Sequence, residues 1–194
     1  ALLSTLPVSF NYAYNPANQR TRSTLADGSF WVYEYDMLGQ VKSGKRYWND
    51  GTPVAGQQFE YAFDDIGNRK TTAAGGDQNG ANLRSATYTA NTLNRYTQRT
   101  VPGYANIVGS ANSSATVTIN NTPTVRKGEY FRGEVAVANA SGPAWQALTN
   151  LAVLNNGANP DIITNVTGNV FVPKTAEPFG YDADGNMTND GRWV

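Results

Sequence analysis

Residues 59–71 read FEYAFDDIGNRKT. Phe59, Tyr61 and Phe63 occupy alternate positions, and Asp64, Asp65, Gly67 and Asn68 follow at once. Alternation at period two sets the three aromatics on one face of a β-strand. Asp and Asn side chains bond to backbone two residues on, and Gly accepts positive φ. The stretch therefore predicts an aromatic strand face followed by a tight corner from which a new strand departs.

The phrase repeats along the chain. FNYAYNPANQR sets Phe10, Tyr12 and Tyr14 ahead of Asn15 and Asn18, and WVYEYDMLGQV sets Trp31, Tyr33 and Tyr35 ahead of Asp36 and Gly39. Weaker copies are SATYTANTLNRYT, with Tyr88 before Asn91 and Asn94, and FGYDADGNMT, with Phe179 and Tyr181 before Asp182 and Gly185. The aromatics anchoring the corners fall at 14, 35, 63, 88 and 181, so the spacing is 21, 28 and 25 residues and then 93. Between corners lie the Asp-Gly turns ADG at 26–28 and NDG at 49–51, a strong hairpin signal, and NDG returns at 189–191. The third unit is expected to use a longer loop, AAGGDQNGAN. A lone hairpin is marginal in water, so such units are expected to stack edge to edge and bury their aromatic faces together. The chain stops at DGRWV, where a return strand should begin, which predicts a piece of a longer array or a domesticated remnant of one.

Between 104 and 178 the aromatic corners vanish. ATVTIN, EYFRGEVAVANA, AWQALTNLAVLN and DIITNVTGNVFVPK are separated by the turn clusters NNTP, SGP and NNGANP. This predicts a small β-sandwich or barrel of roughly five to seven short strands. AWQALTNLAVLN has the length of a helix, but its central Thr-Asn and the strand-rich surroundings favour β. The expected organisation is an array over 1–103, an inserted β module over 104–178 and a last corner with the start of a hairpin over 179–194. The fold class is all-β.

Composition narrows the chemistry. Among 194 residues there is no Cys and no His, and 15 Lys+Arg balance 15 Asp+Glu. Ser-His-Asp hydrolysis, thiolate chemistry and Cys- or His-ligated metals are thereby excluded. With no net charge and no basic run interleaved with aromatics, nucleic acid is not an expected partner. No run reaches the roughly 18 to 20 apolar residues of a membrane span. The start ALLSTLPVSF lacks the charged n-region of a signal peptide, so any export signal is expected outside this chain.

The laid-out repeat resembles the YD-repeat (RHS) family. Tyr35-Asp36-Met37-Leu38-Gly39 and Tyr181-Asp182-Ala183-Asp184-Gly185 match its tyrosine-aspartate pair and following glycine, and Phe63-Asp64-Asp65-Ile66-Gly67 matches with Phe for Tyr. Tyr14-Asn15 and Tyr88-Thr89 depart from the pair. The resemblance covers 1–103 and 179–194. It implies β-hairpin strips that spiral into shells, as in bacterial toxins and cell-surface proteins, and therefore flanking YD repeats or an enclosed polypeptide as partners at a secreted or bacterial cell-surface location. The Asp-Pro-x-Gly-Leu motif that accompanies self-cleavage in such shells does not occur here, so autoproteolysis is not carried over.

No catalytic residue, metal site or cofactor is expected. The leading functional expectation is a non-catalytic structural segment, with Tyr14, Tyr35, Asp36, Gly39, Phe63, Asp64, Gly67, Tyr181, Asp182 and Gly185 as its repeat residues. The alternative is a carbohydrate-binding module with cell-surface glycans as partners, stacking on Trp48 or Trp145, which lie outside the aromatic triplets. A second alternative is a glycoside hydrolase using two carboxylates. Against it, Glu129 and Glu134 would face opposite sides of a continuous strand, and Asp64 and Asp65 likewise diverge. Asp182-Ala-Asp184-Gly185 places Gly fourth, whereas an EF-hand loop needs it sixth, so a corner is expected there rather than a calcium loop.

Overall fold

The computed structural model describes residues 8–190. The start of ALLSTLPVSF, Gly191 of the last NDG and the closing GRWV lie outside the described residues. All regular structure among the described residues is β. The chain divides into two compact units, 1–84 and 85–194.

The first unit is an antiparallel meander of β1 (Phe10–Tyr14), β2 (Arg20–Leu25), β3 (Phe30–Tyr35), β4 (Val41–Tyr47), β5 (Pro53–Phe63) and β6 (Arg69–Gly75), each strand paired with the next. Its turns share one backbone solution. In 15–19, 25–29, 36–40, 48–52, 64–68 and 77–81 the first N–H donates to the fifth carbonyl and the fourth N–H donates to the first carbonyl. The fourth residue, Asn18, Gly28, Gly39, Gly51, Gly67 or Gly80, has positive φ. This is the three-residue hairpin loop, a type I turn closed by a left-handed residue, and it explains why Gly or Asn stands at each fourth position.

Side chains lock the same backbone in two ways. At the corners the first residue does it: Asp36 Oδ1 accepts the N–H groups of Leu38 and Gln40, Asp64 Oδ1 those of Ile66 and Asn68, and Asn15 Oδ1 those of Ala17 and Gln19. At the Asp-Gly turns the third residue does it: Asp27 Oδ1 accepts from the Ser29 N–H and Oγ, and Asp50 Oδ1 from the Thr52 N–H and Oγ1. The expected long loop AAGGDQNGAN is resolved into the same turn, because Asp77 Oδ1 accepts from Asn79 and Ala81. Corners and turns thus differ in where the locking side chain sits.

A second feature marks the corners. After each, one residue of the departing strand is skipped in the pairing: Tyr14 faces Arg20 while Ala13 faces Arg22, Tyr35 faces Val41 while Glu34 faces Ser43, and Phe63 faces Arg69 while Ala62 faces Thr71. Such a bulge re-aims the strand, so the first residue after the turn lies on the aromatic side.

In the second unit β7 (Leu83–Ala90) pairs with β8 (Tyr96–Arg99), and the unit boundary falls inside β7. Turn and bulge recur at 91–95, with Asn94 at positive φ, and at 182–186, with Gly185 at positive φ, between β17 (Gly180–Tyr181) and β18 (Met187–Asn189). Ala90, not Tyr88, directly precedes the first of these turns, so the aromatic of that unit sits two residues from the corner position occupied by Tyr14, Tyr35, Phe63 and Tyr181.

From β8 the chain runs into β9 (Tyr104–Ser110), β10 (Thr116–Ile119), β11 (Thr122–Pro123), β12 (Val125–Lys127), β13 (Tyr130–Ala136), β14 (Ala144–Leu154) and β15 (Ile162–Val172), then returns as β16 (Glu177–Pro178) against β8. One sheet has the order β12-β13-β9 and the other β11-β10-β14-β15. Val117, Ile119 and Leu148 from the second meet Phe131 from the first, and Ala105 and Val137 meet Val172, making a two-layer sandwich. A Cβ on Gly109 would lie 2.5 Å from the Phe131 ring, so the ring packs directly on the β9 backbone. AWQALTNLAVLN is strand β14, not helix: all eleven of its paired residues, Ala144–Leu154, face β15. Asn139 closes the base, its buried Nδ2 donating to the Val101 and Pro173 carbonyls while its own carbonyl accepts from Thr175.

Candidate functional site

Strand pairing in the first unit gathers the aromatics on one face. Tyr12 faces Ser23, Ser23 faces Trp31, Tyr33 faces Gly44, Gly44 faces Phe59 and Tyr61 faces Thr72. The aromatic ridges therefore stand on β1, β3 and β5, while β2, β4 and β6 set Ser23, Gly44 and Thr72 between them. Trp31 and Phe59 stack across β4 at 6.0 Å between centroids, over the gap that Gly44 leaves.

The expectation that these aromatics are buried is not met. Phe10, Tyr12 and Tyr14 are 46–54 % exposed, and Trp31, Tyr33, Tyr35, Phe59, Tyr61 and Phe63 are half-buried. The fully buried side chains of this unit are instead small or polar, chiefly Val54, Gln58 and Ser29. The physical reason is that within this unit the aromatics have neighbours along the sheet but, among the described residues, no second layer above them.

Charge is divided between the two faces. The face opposite the aromatics pairs Lys45 with Glu60 at 2.5 Å and Lys42 with Glu34 at 3.9 Å. The Glu60 hydrogen bond raises the Lys45 pKa above its ordinary value. The aromatic face holds Arg20, Arg46 and Arg69 on its strands and no strand carboxylate. The Arg20 guanidinium lies 4.1 Å over the Tyr12 ring and that of Arg69 lies 5.3 Å over Tyr61, while Arg46 is held by Ser29 and Gln57. An open groove of about 480 Å³ on this face is lined by Tyr14, Gln19, Arg20, Tyr33, Tyr35 and Val41. Desolvation there raises the Tyr33 pKa.

Neither ligand candidate lines this groove. Trp48 opens the turn 48–52, its N–H donating to the Thr52 carbonyl, and is half-buried. Trp145 stands on β14 at 73 % exposure, tilted against Phe171 with centroids 5.2 Å apart. They belong to separate units. Of the carboxylates considered for hydrolysis, Glu134 is bound by Arg132 at 2.8 Å and Asp64 is engaged in its own turn. No group of three or more His, Cys, Asp or Glu side chains that could hold a metal is found among the described residues. No helix among them is long and apolar enough to cross a membrane.

The corner carboxylates carry distinct electrostatics. The Asn68 amide, helped by the N–H groups of Asn68, Ile66 and Gly67, holds the Asp64 carboxyl below its ordinary pKa. Asn186 does the same to Asp182. For Asp27 partial burial pulls upward, but the Ser29 bonds and Arg46 outweigh it and the pKa is again lowered.

A hairpin array built on one repeated Asx-locked turn, with the aromatics of alternate strands on a common face, defines a class of β-repeat protein. Residues 14–52, running from the first corner through β2, β3 and β4, match the family model of the RHS repeat. The likeness to the RHS (YD) repeat is shown over that stretch. Among solved structures it is similar to the "Crystal Structure of TcdB2-TccC3-Cdc42", with 11 % identity and a TM-score of 0.42 over 93 % of this chain and 10 % of that one. The chain thus spans about a tenth of that chain's length. No curated protein matches the sequence.

Sequence reasoning missed the arginine side of the aromatic face. The signal was present: Arg20 and Arg69 each stand first in the strand that leaves a corner, where the bulge turns them to the aromatic side. It was unreadable without the bulge, since simple alternation gives no reason to place the first residue after the turn with the aromatics before it.

Proposed function

We propose that the chain is a non-catalytic structural segment of a YD-repeat wall, secreted or displayed at the bacterial cell surface, whose repeat residues serve architecture. Tyr14, Tyr35 and Phe63 hold the aromatic face, and Tyr181 takes the equivalent place before the turn at 182–186. Asp36, Asp64 and Asp182, with Gly39, Gly67 and Gly185, turn the strand back. Flanking YD hairpins are the direct partners, and the aromatic–arginine face is the side presented to an enclosed or displayed polypeptide.

The observation that carries this reading is the state of β1. It bears the same aromatic triplet as β3 and β5, yet its rings are more exposed, because it is paired on one side only among the described residues. A further YD hairpin beside it would bring Phe10, Tyr12 and Tyr14 to the half-burial of Trp31 and Tyr33.

Grafting a second copy of residues 41–52 ahead of β1 tests this. Amide exchange in β1 should slow at least tenfold, and the thermal midpoint should rise by a few degrees, as expected for about 1 kcal/mol in a domain of this size. Unchanged exchange in β1 would count against the wall reading.

A further inference from the structure

The strand β15 is the outer strand of its sheet, pairing among the described residues with β14 alone. From 162 to 172 it carries no charge and no proline. Its residues from 162 to 169 are exposed, including Ile162, Ile163 and Val166, the last at 57 %. Natural edge strands are commonly kept short or protected by charge, proline or a bulge. This one has none of these protections, and its neighbours show the contrast, since the opposite edge of the same sheet, β11, is two residues long.

Beside the exposed half of β15 the sandwich gapes. A cavity of about 420 Å³ opens between the two sheets, with Val117, Phe131 and Leu154 in its wall and Ile162 and Val166 at its rim. None of its lining residues is charged. An added strand here would find backbone partners on β15 and an uncharged apolar surface beneath, so the occupant has to be extended, neutral and rich in β-branched residues.

We propose that the occupant is β15 of a second copy of this chain, paired antiparallel about Val166. In that register Val166 faces its own copy, Ile162 faces Val170, Thr164 faces Gly168 and Asn165 faces Thr167. On the cavity side Ile162 meets Val170 and Val166 meets its own copy, with Thr164 against Gly168 between them, and on the other side Asn165 meets Thr167 and Ile163 meets Asn169. The contact is isologous and uses up this edge of both copies, so assembly through β15 closes at a dimer.

Sedimentation equilibrium of the full chain over a concentration series, with Val166→Lys and Val166→Glu variants, tests the proposal. The wild-type chain should populate a dimer. Val166→Lys sets two ammonium groups against each other at the axis and should raise the dissociation constant about tenfold or more, with the far-ultraviolet circular dichroism unchanged because Val166 is exposed in the monomer. An equimolar mixture of Val166→Lys and Val166→Glu should recover the dimer as a heterodimer, which a folding defect would not do. A chain that stays monomeric throughout, one that grows past the dimer, or a dimer that survives Val166→Lys would each overturn it.

Discussion

Asn68 folds back on Asp64 through two bonds: its N–H donates to Asp64 Oδ1 at 2.7 Å, and its side-chain Nδ2 donates to Oδ2 at 2.9 Å. Asn186 and Asp182 repeat the arrangement at 2.8 and 2.9 Å in the other unit. Gln40 on Asp36 is a looser version, at 2.9 and 3.1 Å. The corner is therefore a unit of five residues in which the fifth closes on the first, and the amide at the fifth position is part of the repeat.

This closure sets a pH dependence. The Asp64 pKa is lowered from 3.8 in the folded chain, first by the Asn68 side chain. A carboxyl with a depressed folded pKa contributes stability that is complete above its unfolded value and is lost as pH falls through the folded value. The corners at Asp64 and Asp182 should hold from neutrality down to about pH 3.8 and then loosen on further acidification. Asn68→Ala should move the Asp64 titration upward toward 3.8, read from its side-chain carbonyl resonance. A titration unmoved by that change would show that the backbone donors alone hold the carboxylate.

The fourth position of each turn makes a second prediction. Gly67 has φ of 91°, and a Cβ there would lie 3.4 Å from Gln40 Oε1. Space is adequate, so the cost of Gly67→Ala is almost wholly that of a left-handed backbone, about 1 to 2 kcal/mol. Gly142, which meets nothing within 4 Å and does not have positive φ, is the control, and Gly142→Ala should be neutral within about 0.5 kcal/mol. Gly67→Asn should recover part of the loss, since Asn18 and Asn94 already fill the same position. Urea midpoints of the three variants give the comparison.

The backbone of the array was legible because its signals are local. Alternating aromatics, Asx residues and positive-φ glycines each act within five residues, so Tyr35-Asp36…Gly39 announces strand, lock and turn together. The burial of the aromatic face was not legible, because it depends on whether a second layer exists, and nothing within β1, β3 or β5 encodes one. The bulge after each corner was hidden for the opposite reason: Lys42 and Lys70 look like ordinary strand residues, and only the pairing of Val41 with Tyr35 and of Arg69 with Phe63 reveals them as skipped. Trp48 and Trp145 stood out by lying off the repeat, a signal of difference that carries no geometry of its own.

The strongest single lever in the second unit is Glu177. Its side chain is 1 % exposed and is bound by the Arg99 guanidinium, which also reaches the Tyr88 hydroxyl at 3.3 Å. Burial alone would lower the Arg99 pKa, but the bonds to Glu177 and Tyr88 prevail and raise it, so the cation is firmly held. The pair joins β8 to β16, where the chain leaves for the sandwich and where it returns. Glu177→Ala removes the carboxylate that holds the part-buried Arg99 guanidinium and should destabilise the unit by about 3 kcal/mol. Glu177→Gln keeps the shape and an acceptor oxygen, so a smaller loss is expected. Arg99→Ala and Glu177→Ala together should cost less than the sum of the two single changes, because the second removal leaves no buried charge behind. Chemical denaturation of the four chains closes this cycle. Strict additivity would mean that the two residues stabilise β16 independently of each other.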